Sequence, residues 1–113
     1  MSSEVKTKKE LTIPREHFAV YDVIANSNEK YVTKKQILAQ LGQPVQYERH
    51  LLKIIYELVM IYNMPVGSSS GQDTKGYFII ENERDRRLAM KNLSTRVYTI
   101  NERHDKIQKM RLK

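Results

Sequence analysis

The side chains with the clearest chemical potential lie in one short polar stretch near the middle of the chain. If this stretch forms a helix, four polar side chains lie on one side of it, because they are separated by steps close to one helical turn. They are Gln46, Arg49, His50 and Lys53. Amide and guanidinium groups in such positions can donate hydrogen bonds to adenine and guanine edges. The pattern predicts a hydrogen-bonding helix face suited to a nucleic-acid groove, with Arg49 and Gln46 as the first candidates for base contacts.

No residue pattern in the sequence marks a catalytic or metal site. His17, His50 and His104 lack the mutual spacing of metal ligands, and no acid or hydroxyl accompanies them in a catalytic pattern. The chain has no cysteine, which excludes disulfides and thiolate ligands. Gly67 and Gly71 lie among serines, without the lysine and hydroxyl of a nucleotide-binding loop. We therefore expect no enzyme activity, no metal and no cofactor.

The charge of the chain favours a polyanionic partner. Its 113 residues suffice for one small domain with extensions, and the formal net charge is +7. Residues 81–113 carry ten Lys or Arg against five Asp or Glu, which is +5 of that total, whereas residues 43–66 are neutral. Coulomb attraction and counterion release would then favour nucleic acid. Since no stretch approaches the roughly 20 apolar residues of a membrane span, we expect a soluble protein without membrane contact.

Turn and cap residues divide the first half of the chain into short helices. Residues 1–12 show no apolar period and are expected to form a mobile arm. Pro14 suits the first turn of a helix, which apolar spacing predicts over 14–26. Thr33 and Gln36 match a capping box at the start of helix two, and Gly42 can close that helix in the left-handed conformation. A short strand is predicted at 30–32.

Helix three is predicted over 46–62. Its apolar side is centred on Ile55 and would anchor the helix to the core. That side comprises Leu51, Leu52, Ile55, Leu58, Val59 and Tyr62. The polar side has two interpretations, a nucleic-acid recognition face and a face that only keeps the helix soluble. Both stay open, because Glu48 and Glu57 cancel the charges of Arg49 and Lys53. Tyr47 can likewise stack on a base or pack at the core margin.

A flexible loop and an aromatic strand follow helix three and predict a hairpin, or wing. Tyr77 and Phe78 alternate across the strand, so one should enter the core while the other faces outward. Lysines at the start of helix two and polar residues of the wing are candidates for holding phosphates. These candidates are Lys34, Lys35, Ser68, Ser69, Ser70 and Lys75.

A long helix is predicted from Asn82, a good N-cap, nearly to the carboxyl terminus. Apolar residues and one histidine recur along it at alternating steps of three and four, as in a coiled coil. This seam comprises Met90, Leu93, Val97, Ile100, His104 and Ile107. It predicts a homodimer or a partner contact; the alternative is that the helix folds back on helix one and completes one core.

The order of segments resembles the small winged-helix proteins encoded by bacteriophages and mobile elements of Gram-positive bacteria. The residues that carry the resemblance lie within 18–103: Tyr31–Leu38, Tyr47–Ile55, Met64–Ser68, Gly76–Ile79 and a helical tail over Leu88–Arg103. The resemblance implies a replication or regulatory factor in which helices two and three form a helix-turn-helix, located in the cytoplasm of a bacterial host cell.

Together these patterns predict an α+β, mainly helical fold: a winged helix-turn-helix with a long C-terminal helix. The expected divisions are the arm at 1–12, the winged domain at 13–81 and the C-terminal helix at 82–113. The expected function is non-enzymatic binding of duplex DNA by helix three and the wing, in replication or transcription control. Two alternatives remain, an adaptor that binds a host replication, transcription or defence protein, and a single-stranded nucleic-acid binder.

Overall fold

The computed structural model describes residues 12–111, which form an α+β, mainly helical fold with four helices and one two-stranded antiparallel sheet. The predicted arm at 1–12 lies outside the described residues, apart from its last one. A 3-10 turn at Val45–Tyr47 precedes the third helix. The elements are α1 (Arg15–Ala25), α2 (Lys34–Leu41), α3 (Glu48–Met60), β1 (Val66–Ser69), β2 (Gly76–Ile79) and α4 (Glu83–Gln108).

The helix ends follow from local side-chain chemistry. Both hydrogen bonds of the predicted capping box form at the start of α2: the Gln36 amide donates to Thr33 Oγ1, and the Thr33 amide donates to Gln36 Oε1. Gly42 ends α2 in the left-handed conformation, with φ of 68°. The Asp85 amide donates to the Asn82 side chain at the start of α4. These three predictions are confirmed.

The core lies between α1, α2, α3 and the sheet. It is built from branched aliphatic side chains, and Phe78 of β2 is its largest fully buried residue. Of the two aromatic residues predicted to alternate, Phe78 is buried and Tyr77 is only partly covered. The other fully buried large residues are Val20, Ile37, Leu51, Ile54 and Leu58.

The buried side of α3 differs from the predicted one. Ile54 is fully buried, whereas Leu52 and Val59 are 38% and 37% exposed. Apolar residues occupy more than half of the circumference of this helix, so their spacing alone does not determine which side is covered. Contact with α1 and β1 selects the Ile54 side. The predicted range was also too long, because Pro44 opens a 3-10 turn and α3 begins at Glu48.

The sheet is a short hairpin joined to the segment before α2. Val66 pairs with Ile79, and Ser69 pairs with Gly76. Val32 forms a further antiparallel bridge with Tyr77, with N···O distances of 2.9 and 2.7 Å in the two directions. The bridge brings the start of α2 beside the hairpin, which is the arrangement on which the candidate site depends.

The long helix α4 packs on β1. Gly67 allows this close approach, because a Cβ added there would lie 2.8 Å from Ala89 Cβ and 2.9 Å from Phe78 Cζ. The predicted seam side chains lie on another side of α4 and stay exposed. The alternative in which they complete a core against helix one is therefore wrong. Within residues 12–111, no helix is long and apolar enough to cross a membrane.

An ion pair anchors the start of α4 to the loop after α1. Lys30 Nζ lies 2.6 Å from the buried Asp85 carboxylate and also donates to Glu81. The Glu81 amide donates to Asp85 as well. The hydrogen bond from Lys30 and then that from Glu81 hold the pKa of Asp85 below its ordinary value. In turn, the hydrogen bond to Asp85, and to a smaller extent the one to Glu81, raises the pKa of Lys30.

We expect Asp85→Asn to lower the free energy of unfolding by about 2 kcal/mol at neutral pH, because it removes a charge-assisted hydrogen bond. A carboxyl whose pKa is lowered by folding stabilises the protein above its unfolded pKa, about 3.9, and this contribution is lost as the pH falls further. Urea unfolding from pH 7 to pH 2 should show the two chains converging at acid pH. A constant difference across that range would contradict this role of Asp85.

Candidate nucleic-acid interface

A groove of about 680 Å³ lies between the start of α2, the hairpin and α4. Within residues 12–111, four cations line it, and no acidic side chain is among its lining residues. We call it the basic groove, defined by Lys34, Lys35, Lys75 and Arg96. Its walls bring together six of the residues predicted to contact phosphates, namely Lys34, Lys35, Ser68, Ser69, Ser70 and Lys75.

The cations of the groove differ in how free they are. Lys35, Lys75 and Arg96 are exposed. Lys34 Nζ lies 2.7 Å from the Glu48 carboxylate at the first residue of α3, and this hydrogen bond raises the pKa of Lys34. Lys34 therefore stays charged but is partly neutralised. Three cations remain without such a partner among the described residues, and they are the better candidates for phosphate ligands.

Tyr77 supplies a neutral donor in the same groove. Burial raises the pKa of its phenol, while the nearby charges of Lys34 and Arg96 act in the opposite direction. The phenol consequently keeps its proton at neutral pH. A protonated phenol beside two cations can donate to a phosphate oxygen, which adds a neutral contact to the charged ones.

The wing serines are less available than the sequence predicts. Ser69 is buried, and its hydroxyl lies 2.8 Å from Thr74 Oγ1 and accepts from the Gly71 amide. It holds the loop in shape, which leaves its hydroxyl less available to a ligand than the prediction assumed. Ser68 accepts from Asn92 Nδ2, and Ser70 donates to Asn92 Oδ1. Both of these attach the hairpin to α4 and leave less hydrogen-bonding capacity for a ligand.

Helix α3 presents a second surface outside the basic groove. Arg49 and Lys53 are exposed and have no ion-pair partner in the described part of the chain. These two residues begin an exposed row along α3, which we call the outer stripe. It continues with Tyr56 and Met60, which are 63% and 64% exposed. The amino-terminal half of this stripe is therefore cationic and its carboxyl-terminal half is apolar. Gln46 is exposed too, but it belongs to the 3-10 turn before the helix.

His50 and Tyr47 lie towards α1 and not on the outer stripe of α3. His50 Nε2 is 2.6 Å from a Glu16 carboxylate oxygen, and the rings of Tyr47 and His50 meet edge to face with centroids 5.0 Å apart. Both residues thus contribute to the α1–α3 junction, and their contact with DNA stays a prediction. For Tyr47 the packing interpretation that the sequence left open is the one observed.

The remaining histidines are structural or isolated. His17 is buried between α1 and α3, with Nε2 2.7 Å from Glu57, and its Nδ1 has no hydrogen-bond partner in the part of the chain that the structure describes. His104 lies on α4 beside Asp105, 3.3 Å away. Among residues 12–111, no group of three or more His, Asp or Glu side chains is placed to hold a metal ion.

Sequence reasoning missed the contribution of α4 to the basic groove. Asn92 and Arg96 are four residues apart and therefore share one face of the helix. The prediction for this helix rested on the apolar seam, which lies on a neighbouring face. A signal was present, since Asp85, Ala89 and Asn92 follow one another at steps of four and three residues and mark the face that packs on the hairpin.

The six seam residues lie on the exposed part of α4. Met90, Leu93, Val97, Ile100 and Ile107 are each between 56 and 58% exposed, and His104 is exposed as well. Such a row of apolar side chains in water is unfavourable, because burying one of them fully would contribute about 1.5 to 3 kcal/mol. The row is therefore a candidate interaction surface.

Comparison with known proteins adds no assignment: no protein-family model, curated protein or solved structure matches this chain.

Proposed function

We propose that this protein is a non-enzymatic winged helix-turn-helix protein of the phage or mobile-element type that binds duplex DNA. In this proposal the basic groove holds the DNA backbone, and the cationic half of α3 reaches base edges. The observation that supports it most is the convergence of Lys34, Lys35, Lys75 and Arg96 on one groove without an acidic lining residue. Clustered cations and hydroxyl groups are the usual ligands of nucleic-acid phosphates.

The order of elements supports the same proposal. The bridge between Val32 and Tyr77 places the start of α2 beside the hairpin, and the Lys34–Glu48 ion pair joins it to the start of α3. Phosphate ligands and base-reading ligands would thus adjoin each other, as in winged helices on DNA. Association through the seam of α4 is part of the proposal, because a dimer doubles the contacts with one DNA molecule.

Arg49→Ala is expected to weaken binding to a specific duplex by about 1 to 3 kcal/mol, because a guanidinium that donates to a base edge is lost. Lys53→Ala should have a smaller effect in the same direction. The measurement is fluorescence anisotropy with duplex DNA, single-stranded DNA and RNA, each titrated at several salt concentrations. Equal affinity of both variants and the unaltered protein would remove α3 from the DNA interface.

The matched control is Met60→Ala, which lies on the same outer stripe of α3 and removes no charge. It should leave duplex affinity unchanged. Absence of binding to all three nucleic acids at moderate salt would contradict the proposed function and favour the adaptor. Preference for single strands over duplex would favour single-stranded nucleic-acid binding through the cations of α4.

A second candidate function is docking on another protein. It is favoured by the apolar half of the outer stripe, where Tyr56 and Met60 are largely exposed and Leu52 and Val59 border them. Exposed aromatic and methionine side chains are enriched in protein interfaces and serve no purpose in a phosphate contact. In this function Met60→Ala, and not Arg49→Ala, would abolish the interaction.

A further inference from the structure

Helix α4 has two distinct faces, one that packs on the hairpin and one that carries the exposed seam. One face packs on the hairpin through Asp85, Ala89 and Asn92. Successive residues turn by about 100° around an α-helix, so the seam that contains Leu93 and Val97 lies roughly a right angle away from this face. Packing on the hairpin therefore leaves the seam accessible along its whole length, as the exposure of its side chains shows.

The seam has the spacing of a coiled coil. Its members follow one another at steps of three, four, three, four and three residues, from Met90 to Ile107. In heptad terms Met90, Val97 and His104 occupy the a positions, and Leu93, Ile100 and Ile107 occupy the d positions. A helix with the same period can cover such a seam, and α4 of a second copy is a helix of this kind.

Charge decides how two copies of α4 can pair. The g positions beside the seam hold Arg96 and Arg103, while the e positions hold Ser94, Asn101 and Gln108. In a parallel pair, g residues face the e residues of the second copy five positions later. Each arginine then meets an uncharged amide, Asn101 or Gln108, and no like charges oppose one another.

An antiparallel pair is less favourable for two reasons. The antiparallel register that uses the whole seam sets Arg96 opposite Arg103 of the second copy, twice by symmetry, which places like charges together. It also places His104 against Leu93, a polar ring against an aliphatic side chain. In the parallel pair each seam residue packs against the identical residue of the second copy, so the two His104 rings lie in one layer.

We propose that α4 forms a parallel two-stranded coiled coil with a second copy of this chain, and that the dimer binds an inverted repeat in duplex DNA. The second half of this statement rests on the proposed function. A parallel coil puts both hairpins and both basic grooves at the same end of the dimer. Arg96 lines the groove next to Val97 of the seam, so each groove borders the coil. Two-fold symmetry of the protein then requires two-fold symmetry of the DNA site.

Two single cysteine variants test the orientation without DNA. The chain has no cysteine of its own, so Met90→Cys and Ile107→Cys, at opposite ends of the seam, each introduce one thiol. Under mild oxidation a parallel coil cross-links each variant to itself, because like positions adjoin within disulfide range. An antiparallel coil would cross-link only a mixture of the two variants. That result, or no cross-link in either experiment, would overturn the proposal.

Adding Val97→Glu to the Ile107→Cys variant provides the control. An unpaired charge in the middle of the seam should reduce cross-linking by about tenfold or more. Unchanged cross-linking would show random collision of an exposed thiol and would overturn the coil. Circular dichroism of the same variant establishes that the remainder of the chain keeps its fold, since Val97 is exposed in the single chain.

Selection from a pool of random-sequence duplexes tests the DNA half of the proposal. The unaltered chain should enrich an inverted repeat, and Val97→Glu should lower affinity for it by about tenfold or more, because avidity is lost. Enrichment of a single half-site or a direct repeat would overturn the symmetry argument. If no sequence binds at all, the proposed function fails, while self-cross-linking of both cysteine variants would still support the coil.

Discussion

Duplex DNA is expected to bind roughly a thousandfold more weakly when Lys35, Lys75 and Arg96 are replaced together by alanine, since each charge-assisted hydrogen bond to a phosphate contributes about tenfold in affinity. The three residues are the exposed cations of the basic groove, and Lys34 is retained because Glu48 engages it. The dependence of affinity on salt should also weaken, by about one unit of the logarithmic slope for each cation removed. Anisotropy titrations at several salt concentrations measure both quantities.

The matched control removes the same charge from α4 and its C-cap residue, away from the basic groove. Lys91, Lys106 and Lys109 are exposed cations outside the basic groove, and their triple replacement by alanine lowers the net charge equally. Salt screening over about 10 Å limits the influence of such remote charges, so this variant should lose far less affinity. Equal losses in the two variants would show that the basic groove contributes only through its share of the net positive charge, and not through its own contacts with phosphates.

Gly76→Ala is expected to lower the free energy of unfolding by about 3 kcal/mol or more, from backbone strain together with a collision. Gly76 has φ of 128°, in the region that side chains rarely adopt, and a Cβ there would lie 2.7 Å from the carbonyl carbon and oxygen of Val32. The Val32 backbone cannot yield without losing its two hydrogen bonds to Tyr77. Thermal unfolding followed by circular dichroism should show the midpoint lowered by about 12 °C or more.

Gly42→Ala separates the two causes. Gly42 also has a positive φ, 68°, but no atom lies within 4 Å of an added Cβ. The substitution therefore introduces strain alone and should lower stability by about 1 to 2 kcal/mol. If both alanine variants lose the same stability, the contact between Gly76 and Val32 contributes nothing. The bridge would then not be what places the start of α2 beside the hairpin.

Local rules in the sequence predicted the parts of the fold that depend on neighbouring residues. The capping box of Thr33 and Gln36, the left-handed Gly42 and the N-cap Asn82 involve atoms only a few residues apart. Strand alternation likewise predicted that one of Tyr77 and Phe78 would be buried. These features need no knowledge of the rest of the chain, since their energies come from bonds that close within one turn.

Predictions that required knowledge of what packs against an element were less accurate. The buried side of α3 was misjudged at Ile54, because its apolar residues spread over more than half of the helix and a neighbour selects among them. The surroundings of His50 could not be predicted, because its partner Glu16 of α1 lies 34 positions away in the sequence. Nor did the sequence predict that the loop folds the Ser69 hydroxyl onto Thr74.

By itself, the sequence determined the mainly helical α+β class, both ends of α2, the start of α4, the cationic first half of α3 and the coiled-coil spacing of α4, because charge, periodicity and capping are properties of contiguous residues. Only the tertiary structure decided that Lys34, Lys35 and Lys75 meet Arg96 in one groove, and that α4 packs on β1 and leaves its seam exposed. Both outcomes depend on a close approach between distant segments. The small residues Gly67, Gly76 and Ala89 permit it, and their role appears only when the opposing surface is present.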